Sequence, residues 1–217
     1  MKGRGMLSAL WWVFAAAVVA YFATRWTDID SHTLDCITKT FPVALLSLIC
    51  WLAARRAFAP LPIALALSAA GDLAGEEHKF ILQIALFAVA HIFFAVHFLR
   101  STRFDTKAWL GIFSVVAICA LLGWRIVPSI SDPTIQIACA SYIFIIGIMA
   151  SSTMAHRSPL RPWYIVAAAL FVISDSTIAW NRFVERIPYA GMIIMSTYFA
   201  AQYLFARLYV KESQPKA

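Results

Sequence analysis

Apolar residues fall in long stretches separated by short polar loops, and a stretch of roughly 20 such residues crosses a bilayer as a helix. Eight stretches qualify: Leu7–Thr24, Thr33–Ala54, Pro60–Ala74, Phe80–Leu99, Ala108–Ile126, Thr134–Met154, Pro162–Trp180 and Pro188–Tyr209. Pro60, Pro162 and Pro188 open three of them, at positions where a missing amide proton costs nothing. The loops are too short for a second domain. The pattern predicts an all-α membrane protein, residues 1–217 forming one bundle of eight transmembrane helices. The opening MKGRGM followed by LSALWWVFAAAVVAYFAT imitates a secretory leader. Its apolar run exceeds the usual leader core, so it reads as a retained first span.

Charge orients the bundle. With eight spans, one face carries Lys2, Arg4, Arg55, Arg56, Arg100, Arg103, Lys107, Arg157, Arg161, Arg207, Lys211 and Lys216. The other carries only Arg25, Lys79, Arg125, Arg182 and Arg186, with Lys39 left inside a span. Positive charge collects on the cytoplasmic side of membrane proteins, so both termini are expected there.

Composition agrees. The chain is 62% hydrophobic and 13% charged, with a mean hydropathy of +0.76. A soluble domain is nearer 45–50% apolar and about 25% charged. The net charge of +7 therefore reflects orienting loops rather than a nucleic-acid surface. Cys36, Cys50, Cys119 and Cys139 form no CxxC pair and read as packing.

Against this apolar background a few polar groups stand out. Asp72 lies twelve residues after Pro60 and Asp175 thirteen after Pro162. At the helical rise these are depths of ~18 and ~20 Å along spans running in the same direction. Lys39, Tyr142 and Tyr198 enter the same slab from the other side, and His91 lies a little nearer the centre. An ionisable group at such depth costs a few kcal/mol and faces a cavity or a partner rather than lipid. The aspartates are thus a functional site, or else a packing ion pair with a group such as Lys39. His97 and His156 fall near the cytoplasmic rim and His32 and His78 near the outer one, a scatter that argues against a three-histidine metal site. Glu76 and Glu77 follow the third span and read as a solvated outer loop. The intervals Lys39–Tyr142 and Asp72–Asp175 are equal, hinting at two parallel four-helix halves.

The stretches LSAAGDLA, FAVAHIFFAVHF, LFVISDSTIAWNRF and MSTYFAAQYLFAR, in this order and spacing, resemble the YhhN-like lysoplasmalogenases. Lys39 in TKTFPVALL is similar to the family's second-span lysine, although the family reads Lys-Pro there and two residues intervene here before Pro42. The resemblance covers most of the chain. It implies hydrolysis of the vinyl ether bond of lysoplasmalogens to a long-chain aldehyde and a glycerophospho-ethanolamine or -choline. Asp72 and Asp175 would be the acid/base pair, with neither role assigned, as paired carboxylates are in glycosidases. Lys39, His91, Tyr142, Asn181, Tyr198 and Gln202 would position substrate or water. No metal or cofactor is called for. The implied partners are a lysophospholipid, water and membrane lipids, with no nucleic acid, and the implied location is the bacterial cytoplasmic membrane. A small proton-coupled transporter is the alternative, since it would place carboxylates similarly. Such a carrier needs helices broken at matching places in both halves, and only Gly71, with Ser174 at the corresponding position, approaches this.

Overall fold

The computed structural model describes residues 2–27, 31–54 and 59–213. Of the charges used to orient the chain, Arg55, Arg56 and Lys216 lie outside the described residues. Among the described residues eight α-helices follow one another: α1 Lys2–Trp26, α2 His32–Ala53, α3 Pro60–Glu76, α4 Phe80–Leu99, α5 Thr106–Ile126, α6 Pro133–Ala155, α7 Arg161–Phe183 and α8 Ala190–Ser213. Among the described residues there is no strand, only an isolated bridge between Thr102 and His156. The ends obey local chemistry. Ser31, Asp105 and Asp132 each turn a side-chain oxygen onto a first-turn amide of the helix they precede, which satisfies a donor that has no intrahelical partner. Pro60, Pro133 and Pro162 occupy first-turn positions. His78, at φ 57, makes the left-handed turn from α3 into α4.

Six helices, all but α3 and α8, are long and apolar enough to cross a membrane, which makes the chain a multi-pass integral membrane protein. Of the two exceptions, the first is short, at 17 residues, whereas the second is long enough, at 24, but more polar. α3 and α8 are the most enclosed helices: ten residues of α3 and eleven of α8 are buried. A helix surrounded by protein need not present an apolar surface to lipid, so it tolerates Asp72, Tyr198 and Gln202. α1, by contrast, is almost wholly peripheral.

Helix neighbours repeat. α1 packs on α2, α2 on α3 and α3 on α4, as α5 does on α6, α6 on α7 and α7 on α8, and α2 meets α8 as α6 meets α4. The helix arrangement thus follows the two halves that the equal intervals hinted at. The repeat stops at the helix level, because the side chains facing each other differ between the halves.

Candidate functional site

Each aspartate meets a tyrosine. Tyr198 on α8 donates its phenol proton to Asp72 Oδ2 across 2.7 Å. Both residues are buried, Asp72 at 2% exposure. Tyr142 on α6 donates to Asp175 Oδ2, and its oxygen lies 2.8 Å from His91 Nε2. The same nitrogen is 3.6 Å from Asp175 Oδ2. His91 is fully buried, and its Nδ1 has no hydrogen-bond partner among the described residues. A phenol that donates to the carboxylate can still accept, which assigns the imidazole proton to Nε2 and the lone pair to Nδ1. His91, Tyr142 and Asp175 therefore form a series of donors ending on a carboxylate.

Aromatic rings pack between the two pairs. Phe171 stands edge-on to His91 at 4.7 Å and to Tyr198 at 5.4 Å between centroids. Phe87 stands edge-on to Tyr198 at 5.9 Å. Phe87 comes this close to α3 because residue 71 is glycine: a Cβ there would lie 2.9 Å from two ring carbons. No hydrogen bond joins the aspartates among the described residues.

Lys39 occupies a different place from the one expected of an Asp72 partner. Its Nζ lies 2.8 Å from Glu76 Oε1, one helical turn beyond Asp72 on the same face of α3. Glu76 also takes Arg25 at 3.2 Å, and Arg25 reaches Asp35 at 3.3 Å. Glu76 is thus not a solvated loop residue but the helix-end centre of a partly buried charge network, its side chain 17% exposed. The signal for this was the four-residue spacing from Asp72, which sets both carboxylates on one helix face. Asn181 also departs from expectation. Its side-chain oxygen accepts the Ile187 amide at 2.8 Å and holds the turn between α7 and α8, so its polar oxygen is committed to the backbone. Gln202, one turn from Tyr198, is fully buried, and neither amide atom has a hydrogen-bond partner among the described residues.

Asp175 is reachable from a cavity. A narrow apolar cleft of about 80 Å³ between α4, α5, α6 and α7 is walled by Phe80, Ile84, Phe87, Leu122, Ile143 and Val172, with Gln83, Tyr142, Asp175 and Ser176 as polar members. Asp72 does not line it. Phe87 separates the cleft from Tyr198, and no reading of the linear pattern had marked that ring.

Fold and site together define a multi-pass helical membrane protein with carboxylates enclosed among its helices, one of them facing an apolar cleft. Comparison with known proteins narrows this class. The chain belongs to the YhhN family, whose model matches residues 34–208. It is 31% identical over 199 residues to lysoplasmalogenase TMEM86B of Sus scrofa, covering 89% of this chain and 82% of that protein. It is 30% identical over 163 residues to lysoplasmalogenase TMEM86A of Homo sapiens, covering 70% of this chain and 66% of that protein. No solved structure matches it.

Proposed function

We propose that this protein hydrolyses the vinyl ether bond of lysoplasmalogens, with Asp175 as the group that meets the reacting atoms. The reading rests on one observation: Asp175 is the carboxyl group on the wall of an apolar cleft, backed by Tyr142 and the buried His91. An alkenyl chain packs against Phe80, Ile84, Leu122 and Val172, which brings its ether end to the carboxyl. The acid form of Asp175 protonates the alkene carbon distal to the ether oxygen, forming an oxocarbenium ion. Water adds to the adjacent carbon and returns its proton to the carboxylate. The hemiacetal then collapses, the ether C–O bond breaks, and aldehyde and glycerophospho-alcohol leave. One water is consumed and no net proton. Tyr142 and His91 orient the carboxyl and exchange its proton. Asp72, held by Tyr198, is the second carboxyl group of the site. Gln202 and Lys39 position polar groups at the inner and rim ends.

In this reading all eight helices of the single domain cross the membrane, both termini are cytoplasmic, and the site lies in the outer half of the bacterial cytoplasmic membrane. A lysolipid enters sideways between helices with its headgroup at the rim.

The test follows aldehyde release from lysoplasmenyl-ethanolamine by purified protein in detergent, in H₂O and in D₂O. The expected aldehyde from D₂O carries one deuterium on the carbon next to the carbonyl and forms more slowly. Asp175→Asn should release none, and an alkyl-ether analogue should survive intact. Full activity in a folded Asp175→Asn protein would overturn the assignment, and no aldehyde from folded wild type would overturn the reaction.

A further inference from the structure

At the opposite end of the bundle from Glu76, three helix ends bring together His97 of α4, His156 just after α6 and Glu212 of α8. One nitrogen from each histidine and a Glu212 oxygen all lie within 4.8 Å of one another. We propose that these residues form a binding site for a divalent transition-metal ion, with Zn²⁺ the best fit.

Three observations carry this. First, Nε2 of His97 and Nε2 of His156 are both buried and neither has a hydrogen-bond partner among the described residues. Two orphaned imidazole nitrogens beside one carboxylate are costly unless something shared satisfies them. Second, the outer atoms are arranged as they are around metal ligands. His156 Nδ1 lies 3.0 Å from the Phe98 carbonyl oxygen, so it carries the proton and leaves a lone pair on Nε2, pointing to Glu212 at 4.0 Å. A ligating histidine ordinarily hydrogen-bonds through its other nitrogen in this way. Glu212 is steadied in turn, accepting from Tyr164 at 3.0 Å and from Ser158. Third, the backbone around His156 is clamped. Arg103 N donates to Ala155 O at 2.7 Å and Arg157 N to Ser101 O at 2.8 Å.

Two histidines and a carboxylate suit Zn²⁺, whose nitrogen and oxygen ligands lie about 2.0–2.2 Å away. Ligand atoms around such an ion sit about 3.4 Å apart, so the cluster closes with shifts of about an ångström. The fourth position is left for water, reached past the partly exposed Glu212. Histidines 59 residues apart in the chain read as unrelated until the helix ends converge. The bound ion would tie α4, α6 and α8 together and has no part in the proposed hydrolysis.

A second group, His32, Cys36 and Glu77, could also hold an ion but lies exposed at the other end. It supplies the control. The protein, purified on a tag without histidines, is stripped with chelator and reloaded with Zn²⁺ or Co²⁺. Metal content, the visible absorption of Co²⁺ and the thermal midpoint are then measured. Wild type and a His32→Ala/Cys36→Ser variant should each hold one equivalent and gain stability on loading. Glu212→Gln and His97→Gln should bind at least tenfold more weakly and gain none, and Tyr164→Phe should weaken binding. Glu212→Gln alone decides the matter if His97→Gln does not fold, because Glu212 lies at the rim. Folded wild type that retains no metal would overturn the proposal. So would an equivalent that survives in Glu212→Gln and disappears from His32→Ala/Cys36→Ser.

Discussion

Replacing Gly71 with alanine sets two opposing effects against each other. Within a helix alanine is ordinarily favoured over glycine by roughly 0.5–1 kcal/mol. Here the new methyl would lie 2.9 Å from two carbons of the Phe87 ring, where carbon atoms prefer roughly 3.5–4.0 Å. The ring must give by at least ~0.6 Å. It has little room, because Phe171 and Tyr198 stand edge-on to it at 6.3 and 5.9 Å. Overpacking of this kind costs about 1–3 kcal/mol, so Gly71→Ala should be destabilising by about 1 kcal/mol net. The displaced ring also presses toward the cleft that Asp175 lines, so kcat/KM for the vinyl ether should fall. Phe87→Leu removes the obstruction. In that background the same Gly71→Ala change should become neutral or stabilising, and the two substitutions should couple strongly. Thermal unfolding in detergent and aldehyde release would be measured for both single variants and the double. A Gly71→Ala protein as stable and active as wild type, or equal penalties in both backgrounds, would refute the close-contact explanation.

Tyr142→Phe keeps the ring but takes the donor from Asp175 and the acceptor from His91; kcat should drop about 10²-fold or more with little change in KM, read from initial rates of aldehyde release. Lys39→Met should cost about 1.5–3 kcal/mol by removing a charged hydrogen bond from the partly buried Glu76, and Glu76→Gln should recover part of that loss in a double-mutant cycle of thermal midpoints. Asp105, at the start of α5, is held below the usual carboxylate range by the Ala108 amide it caps and by Arg161 at 3.2 Å. A lowered folded-state pKa contributes stability that is complete above the unfolded value of about 3.9 and lost as pH falls through the folded one. Asp105→Asn retains a capping side chain, so thermal midpoints measured downward from pH 6 should show a shallower acid loss than wild type.

Hydrophobicity alone carried the architecture a long way. Long apolar stretches, two of them opened by Pro60 and Pro162, determine eight helices, because lipid leaves the backbone few alternatives and end signals are local. Isolation also exposed Asp72, Asp175 and His91, since an ionisable group in an apolar run is conspicuous wherever the helices finally sit. What the linear pattern could not decide was pairing. Which tyrosine serves which aspartate, Tyr198 for Asp72 and Tyr142 for Asp175, depends on how helices turn about their axes and cross. The bond from the Ile187 amide to Asn181 exists only once the chain has turned back between α7 and α8. Lys39 stood alone inside a span until α2 and α3 brought it to Glu76. The ring of Phe87, one apolar residue among many, acquires its place only through its contact with Gly71. His97, His156 and Glu212 meet only because α4, α6 and α8 end at one rim. Burial in lipid is a property of each segment and is written along the chain, whereas hydrogen bonds between helices belong to pairs of segments and exist only once the bundle has formed.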